Sequence, residues 1–441
     1  MALPVYIDED PRFRKVRPHY LPLLFEKMDH NLLDRVPPGE KDGMFYPLHL
    51  GSPYRLSPDN SAQAKAGGIF IYDFLQKDAW KKIEDKGGYL LIDHIVEAFF
   101  GRQDMVERFH EGMDLVGLRP ERVVLLNGNL LSKQRYDLLA DRLGISERAH
   151  VIPYNGCFWL INAHNRASDS DGMRIEARAQ RAREWIGLDR PKKFVTFNGK
   201  GRPHRTYVIL RMIADGHKSE GFISLLGHES SDSPSEEQIS RQIARFPEAE
   251  RLMRQIPEFI ASLPLSIDIS RTSSREGQKF KFTLPWASPD PDIYDQTYFS
   301  VVLDTSFTDV GTLFHTPIAY KSFMNFSSFV YFGNCGGLKA LRNMGFKSFS
   351  PFMNEEYDDI EDDNTRMVVA YREFERLVSL NRDELNRGLL SVWPALEHNY
   401  SLIHRPDQRP FLEDWNSRVS DRLPGAARFD LSACETTTST Q

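Results

Sequence analysis

The stretch from Gly87 to Asn155 contains three short apolar runs: GGYLLIDH at 87–94, ERVVLLNGN at 121–129 and AHVIPYN at 149–155. Between them, residues 104–118 and 132–144 carry apolar side chains at helical spacing. Apolar runs bounded by turn residues predict buried strands, and the recurring spacing predicts amphipathic helices. Alternation of strand and helix is typical of a parallel sheet covered by helices. The stretch therefore predicts a Rossmann-like α/β domain.

A second α/β pattern follows further along the chain. The runs KFVTFN at 193–198 and FISLLG at 222–227 predict strands on either side of a helical segment. A later strand is predicted by YFSVVLDTSF at 298–307, which has the expected β-branched and aromatic bias. The charged, serine-rich stretch 228–277 predicts a helical insertion. We therefore expect an α/β protein with two Rossmann-like domains in series.

The same patterns divide the chain into three parts. Residues 1–188 form the first expected domain, which opens with an irregular extension because residues 1–80 are rich in Pro and Gly and show weak periodicity. Residues 189–405 form the second expected domain. Residues 406–441 are expected to be a C-terminal extension that ends in a disordered tail, since the last residues read ETTTSTQ.

Composition excludes several classes of protein. The chain has 441 residues and a net charge of −6, which argues against a broad basic face for nucleic acid. The three cysteines, Cys157, Cys335 and Cys434, are far apart and show neither a disulfide framework nor zinc-site spacing. The charged N-terminus is unlike a signal peptide, and no stretch approaches the roughly 18 apolar residues of a membrane span. We expect a cytoplasmic protein without a membrane span.

The most informative loop is Asn198-Gly-Lys-Gly-Arg-Pro-His-Arg205, between a predicted strand and a predicted helix. Ligands of open parallel sheets bind beyond the carboxyl ends of the strands, where helix N-termini face the crevice. The glycines allow close backbone approach, and the basic side chains suit a diphosphate. A solvated basic turn is the alternative. The candidate binding residues are Asn198, Lys200, Arg202, His204 and Arg205.

Two further loops carry candidate binding residues. Asp304, followed by Thr305, ends the strand VVLDTSF; its carboxylate either accepts hydrogen bonds from ribose hydroxyls or caps the next turn. Gly336 and Gly337 precede an amphipathic segment and either cradle phosphate or form a plain tight turn.

Candidate bases lie where the first clear strand ends. Asp93, His94 and Glu97 are placed to take a proton from a hydroxyl group, although Glu97 also reads as a carboxylate in the first turn of a helix. The acidic run NEEYDDIEDD at 354–363 lacks calcium-loop spacing and reads as a solvated segment. We expect neither a metal site nor a bound cofactor.

Together these motifs resemble a group of bacterial and phage glycosyltransferase-like proteins that are distantly similar to the α1,3-fucosyltransferases. The resemblance lies in the stretches FVTFNGKGRPHR, YFSVVLDT, PIAYKSF, FVYFGNCGGLKALRNMGFKSF and NEEYDDIEDDNTR, and more weakly in LLIDHIVEAF and VVLLNGN. It implies a GT-B fold, in which two Rossmann-like domains face a cleft, and a nucleotide-sugar donor held by the second domain without an essential metal. By position, Lys200, Arg202 and Arg205 would hold the donor phosphates and Asp304 the ribose. Asp93 and Glu97 fall on the family's acid-loop marker.

One stretch departs from this family. Related sequences carry a Thr-Glu-Lys-like stretch before the helix that contains Pro-Ile-Ala, whereas residues 308–316 here read TDVGTLFHT. Asp309 and His315 are the candidates to substitute for the missing pair. The residues MNFSS at 324–328 are an apparent addition between this helix and the following strand. Either the donor differs from the family's usual one, or catalysis is impaired.

Three functions therefore stand as expectations. The first is a metal-independent glycosyltransferase that moves a sugar from a nucleotide-sugar to a hydroxyl acceptor. The second is a catalytically inert sugar- or nucleotide-binding protein of the same fold. The third is a phage-type transferase that glycosylates hydroxymethylated bases in DNA, for which Arg102, Arg108, Lys133 and Arg135 are the candidate contacts. The acceptor, a glycan or modified DNA, is not identified by the sequence.

Overall fold

The fold is described from a computed structural model. It covers residues 2–7, 32–49, 54–55, 69–70, 72, 75–95, 103–168, 173–225, 234–267, 291–308, 311–405, 407, 409–429 and 431.

Strands and helices alternate along most of the chain. The strands are β1 (Leu3–Val5), β2 (Leu33–Arg35), β3 (Phe45–His49), β4 (Tyr54–Arg55), β5 (Ile69–Phe70), β6 (Tyr89–His94), β7 (Val123–Asn127), β8 (His150–Pro153), β9 (Lys192–Thr196), β10 (Gly221–Ile223), β11 (Thr297–Leu303) and β12 (Ser328–Phe332). The helices are α1 (Lys77–Glu84), α2 (Gln103–Val116), α3 (Ser132–Arg142), α4 (Gly156–Ser168), α5 (Met173–Glu184), α6 (Pro203–Ala214), α7 (Glu236–Ile243), α8 (Ala249–Met253), α9 (Ile256–Ala261), α10 (Pro291–Asp295), α11 (Pro317–Phe323), α12 (Gly337–Asn343), α13 (Asp363–Ser379), α14 (Arg382–Ser391), α15 (Trp393–Ile403) and α16 (Arg409–Arg418).

The first sheet is six-stranded and parallel throughout, in the order β2-β1-β3-β6-β7-β8. Every residue of β6 and β7 is buried, as expected for strands whose two faces are both covered. The N-terminal part of the chain was expected to be an irregular extension. It instead supplies β1, β2 and β3 to this sheet, because short strands such as Leu3–Val5 carry too few residues to show a period.

The second sheet is four-stranded and parallel, in the order β10-β9-β11-β12. Its middle strand β11 is buried along its whole length, and helix α6 connects β9 to β10. The two Rossmann-like α/β sheets predicted from the sequence are therefore confirmed. Helices α7, α8 and α9 occupy residues 236–261, within the predicted helical insertion.

The chain divides into two compact units. The first comprises Met1–Ser170, Asp309–Phe314 and Arg405–Gln441, and the second comprises Asp171–Thr308 and His315–His404. The division falls at 170/171 rather than at the expected 188/189, because α5 belongs to the second unit. Its Arg178 and Arg181 are paired with the carboxylate of Asp295, at 2.8 and 2.6 Å.

The expected C-terminal extension, residues 406–441, also differs from the prediction over the part that the structure describes. Helix α16 belongs to the first unit, and its Trp415 is fully buried. The indole packs edge-on against Phe45 and Tyr154, with ring centroids 6.0 and 5.9 Å apart. The predicted disordered end, ETTTSTQ at 435–441, lies outside the described residues. No helix among the residues described is long and apolar enough to span a membrane.

Candidate functional site

The carboxyl edge of the second sheet is formed by the loops that follow β9, β11 and β12. These loops contain the predicted binding residues Asn198 to Arg205, Asp304 with Thr305, and Gly336 with Gly337. Because neighbouring parallel strands end at the same edge, their loops are brought together as predicted. Some of the predicted side chains, however, form hydrogen bonds with the protein itself, whereas others are exposed.

The loop after β9 is tied to its own sheet at its first residue. Asn198 is 1% exposed, its backbone N–H donates to Ser224 Oγ at 3.0 Å, and its Nδ2 donates to Thr196 Oγ1 at 3.0 Å. Lys200 is exposed and Arg202 is partly exposed. Arg202 is the N-cap of α6 and places no side-chain hydrogen bond on the helix, while Pro203 supplies no N–H. Positive side chains therefore accompany the first-turn N–H groups of α6.

Arg205 points into the protein rather than toward a ligand. Arg205 is 5% exposed, and its guanidinium donates to the carbonyls of Leu303 and Asp304 at 3.0 and 3.2 Å, and to that of Lys200 at 3.3 Å. It also donates to Thr305 Oγ1 at 3.4 Å. These hydrogen bonds differ from the expectation that Arg205 holds phosphate. The hydroxyl of Thr305, another predicted binding residue, likewise contacts the protein. Arg205 joins the loop after β9 to the end of β11.

His204 has a related structural role. Its Nε2 donates to the carbonyl of Asp304 at 2.7 Å, and its ring stacks on Phe307 with centroids 5.7 Å apart. Burial, helped by the neighbouring positive charge of Arg205, lowers the pKa of His204 to about 3. The imidazole is therefore neutral at pH 7 and adds no positive charge for a phosphate, contrary to the expectation that His204 is one of the basic side chains suited to a diphosphate.

Asp304 is fully buried, and its carboxylate binds the protein's own groups. Oδ1 accepts from the N–H of Thr305 at 2.7 Å and from the N–H and hydroxyl of Thr316, the N-cap of α11. Oδ2 accepts from the Tyr331 hydroxyl at 2.9 Å. Of the two interpretations drawn from the sequence, these contacts match a turn-capping carboxylate. The side chain is 0% exposed, and both of its oxygens accept hydrogen bonds from the protein.

The turn at Gly336 and Gly337 is occupied by an acidic side chain. Gly336 has φ +75°, a conformation that favours glycine, and it precedes α12. The N–H groups of Leu338 and Lys339 donate to the carboxylate of Asp358 at 2.8 and 2.7 Å. An anion from the chain thus takes the place that a phosphate would need. Asp358, which is 2% exposed, also shows that the acidic run 354–363 is not simply solvated.

Two side chains beside this turn carry unpaired acceptors. His315 and Asn334 are 1% and 4% exposed. Within the described part of the chain, His315 Nδ1 and Asn334 Oδ1 have no hydrogen-bond partner, and the same holds for Asn198 Oδ1 in the loop after β9. Native proteins leave few buried polar atoms unpaired, so each such atom requires an explanation.

The candidate bases lie at the carboxyl edge of the first sheet. Asp93 and His94 end β6, and both are buried. Asp93 Oδ1 accepts from the N–H of Ile95 at 3.3 Å, and His94 Nδ1 accepts from Asn127 Nδ2 at 3.4 Å. Glu97 lies outside the described residues. The structure therefore places two of the three predicted bases next to one another at a strand end.

Asn129, which ends the NGN motif after β7, holds part of the stretch 308–316. Its Oδ1 accepts from the N–H groups of Leu131 and Leu313 at 3.0 and 2.8 Å, and its Nδ2 donates to the carbonyl of Gly311 at 3.1 Å. The backbone of Leu130 also donates to the carbonyl of Leu313 at 2.8 Å. Residues 311–313 are thus anchored within the first unit. Asp309 lies outside the described residues.

The basic residues considered for DNA are partly neutralised. Arg108 pairs with Asp104 at 3.4 Å and Lys133 pairs with Asp137 at 2.5 Å, each one turn away on the same helix. Arg102 lies outside the described residues. Among the described residues, no three His, Cys, Asp or Glu side chains are grouped so that they could hold a metal ion.

The partners of Asp304 and of the Gly336 turn were not predicted from the sequence. Thr316, Tyr331 and Asp358 are each far from their partners along the chain, and no local spacing connects them. Asn334 lies within the motif FVYFGNCGGLKALRNMGFKSF, and its position just after a strand is typical of a binding residue.

Two solved structures resemble the chain at low similarity. The alpha,alpha-trehalose 6-phosphate synthase of Burkholderia multivorans is 14% identical with a TM-score of 0.35, over 88% of this chain and 73% of that one. The alpha,alpha-trehalose-phosphate synthase (UDP-forming) of Burkholderia vietnamiensis is 14% identical with a TM-score of 0.36, over 93% and 80% of the two chains. Sequence identities and TM-scores this low do not establish that the proteins catalyse the same reaction. No family model and no curated protein sequence matches the chain.

Proposed function

We propose that the second unit binds a nucleotide-sugar and that the protein transfers the sugar to a hydroxyl acceptor. The observation that carries this proposal is the loop between β9 and α6. There, exposed Lys200 and partly exposed Arg202 flank a helix N-terminus whose N-cap residue supplies no side-chain hydrogen bond. The loop lies at the carboxyl edge of a parallel sheet, where ligands of such folds bind.

A diphosphate is the group that this loop suits best. Its negative charge is stabilised by the first-turn N–H groups of a helix and by nearby cations, and that charge grows as a sugar leaves. Lys200 and Arg202 would supply the cations. Arg205 and His204 would act indirectly, because their hydrogen bonds to the end of β11 fix the shape of the loop.

A residue at the end of β6 would deprotonate the acceptor hydroxyl. A carboxylate or a neutral imidazole can accept that proton when it lies within hydrogen-bond reach of the hydroxyl. Asp93 and His94 are adjacent there. Because His94 Nδ1 already accepts a hydrogen bond from Asn127, the carboxylate of Asp93 is the proposed base of the two. Glu97 stays a prediction.

Metal independence also belongs to the proposal. It follows from the family resemblance seen in the sequence and from the cations of the loop, which can neutralise phosphate charge in place of a metal. A thermal-shift screen of nucleoside diphosphates and nucleotide-sugars, with and without EDTA, tests it. We expect stabilisation by one nucleotide class that EDTA leaves unchanged; stabilisation abolished by EDTA would contradict metal independence.

The inert binding protein is the second candidate, and one observation favours it. The stretch 308–316 lacks the Glu-Lys pair of the resembling family, and Asn129 holds residues 311–313 in an anchored conformation. Both candidates predict donor binding. Release of free nucleoside diphosphate from a bound nucleotide-sugar, with water as acceptor, separates them, because the inert protein would release none.

A further inference from the structure

We infer that the turn after β12 binds hydrogen-bond donors of the ligand, its hydroxyl or N–H groups, through the unpaired acceptors of His315 and Asn334. The inference rests on the proposed function, since it concerns a second part of the same nucleotide-sugar ligand. The loop after β9 would hold the phosphates, and this turn would hold an uncharged, hydroxyl-bearing part.

The unpaired atoms are the first observation. His315 Nδ1 and Asn334 Oδ1 have no partner in the described part of the chain, although the two residues are 1% and 4% exposed. Leaving a buried polar atom without a hydrogen-bond partner destabilises the folded protein. Two such atoms beside one turn, at the ligand-binding edge of a parallel sheet, are explained if a ligand completes them.

The geometry of the turn fixes what these atoms can bind. His315 Nε2 donates to the carbonyl of Gly337 at 2.8 Å, so the proton resides on Nε2. Burial lowers the pKa of His315, so Nδ1 carries no proton at pH 7 and is a bare acceptor. The N–H of Gly337 in turn donates to the carbonyl of Asn334 at 3.1 Å, which joins both side chains to one turn.

An anion is disfavoured at this turn. Phosphate oxygens are acceptors and would face the acceptors of His315 and Asn334. The N–H groups of Leu338 and Lys339, which could have offset this, already bind the carboxylate of Asp358. Ribose hydroxyls, sugar hydroxyls and base N–H groups are all donors and share the required chemistry. Asn198 Oδ1, also unpaired, offers a third acceptor at the same edge.

Substitutions of Asn334 separate a donor-binding site from an anion-binding site. Asn334→Leu removes the acceptor, whereas Asn334→Asp keeps an acceptor and adds negative charge. The matched control is Ser328→Ala, because Ser328 Oγ is also buried and unpaired but lies at the opposite end of β12. Binding of UDP, GDP, UDP-glucose and GDP-mannose is measured by titration calorimetry.

We expect Asn334→Leu to weaken binding about tenfold, the equivalent of one hydrogen bond of about 1.4 kcal/mol. Asn334→Asp should stay within about threefold of the wild type, and Ser328→Ala should bind unchanged. The inference is overturned if Asn334→Asp weakens binding more than Asn334→Leu does, or if Asn334→Leu has no effect.

Alkylation of Cys335 tests the turn without relying on phosphate. This thiol is half-buried and adjacent to Asn334, and peptide mass spectrometry follows it separately from Cys157 and Cys434. Uridine, guanosine, glucose and mannose serve as uncharged probes. A probe at ten times its dissociation constant should slow iodoacetamide labelling about tenfold. Protection by nucleosides would indicate ribose or base, and protection by free sugars would indicate sugar hydroxyls.

The two proposals fail differently. If Lys200→Ala leaves nucleotide binding unchanged while an uncharged probe still protects Cys335, the proposed phosphate site is wrong and the donor-binding turn stands. If neither the uncharged probes nor the nucleotide-sugars slow labelling of Cys335, the donor-binding turn is wrong.

Discussion

Asp304 shows how a single buried side chain can look like a binding residue in sequence and act as a structural one. It follows a strand at the ligand edge of the sheet, where an acidic residue suits ribose. Its oxygens instead hold Thr305, Thr316 and Tyr331. Hydrogen bonds to a charged group contribute about 1.5–3 kcal/mol each, and buried partners left unpaired are destabilising.

We therefore expect Asp304→Ala to lower the free energy of unfolding by about 3 kcal/mol, because it removes these bonds and leaves buried donors unpaired. Urea denaturation measures the change, with Asp292→Ala as a control because Asp292 is a partly exposed aspartate of the same unit. A variant of wild-type stability that had lost only nucleotide affinity would show that Asp304 is a ligand contact after all.

His204 makes stability depend on pH. Its pKa is lowered by burial to about 3 in the folded protein, whereas an unfolded histidine titrates near 6.5. Below pH 6.5 the unfolded state therefore binds a proton that the folded state does not, so stability falls as the pH falls toward 3. Above about pH 7.5 the contribution is constant, because the histidine is then unprotonated in both states.

The expected slope is about 1 kcal/mol per pH unit between pH 6 and pH 4. Urea denaturation of the wild type and of His204→Gln across this range measures it. The wild type should lose more stability than the variant on acidification. Parallel pH profiles would mean that His204 is not held neutral in the folded state.

At the scale of elements, the regular α/β segments were predictable and the connections were not. The buried runs at 87–94 and 121–129 became β6 and β7 because their apolar residues cover both faces of a strand. Leu3–Val5 is too short to show a period, so its place in the sheet was missed. The sequence predicted that the candidate loops follow strands, whereas the inward orientation of Arg205 depends on carbonyls about 100 residues away.

Asn129 gives a test at this scale, since one side chain holds a segment distant in sequence. Asn129→Ala removes its bonds to Gly311, Leu131 and Leu313. We expect faster amide hydrogen exchange in peptides spanning 311–316 and a loss of stability of about 1–2 kcal/mol. Asn155→Ala, at another loop of the same sheet edge, is the comparison. Unchanged exchange at 311–316 would show that other contacts hold the segment.

At the scale of the whole molecule, each unit repeats the same plan, a parallel sheet with its polar loops at the carboxyl edge. In the second unit that edge offers two kinds of chemistry: cations with a helix N-terminus after β9, and unpaired acceptors after β12. A nucleotide-sugar combines the matching groups, a diphosphate and hydroxyls. The first unit places Asp93 and His94 at its own edge.

The most direct test is calorimetric binding of nucleotide-sugars, in EDTA, to the wild type and to a Lys200→Ala/Arg202→Ala variant. Lys218→Ala is the control, because Lys218 is an exposed cation beyond the other end of α6. The double variant should bind at least about tenfold more weakly, since each charge-assisted bond contributes about 1.5–3 kcal/mol. Equal affinity of the double variant and the wild type would contradict a diphosphate site at this loop.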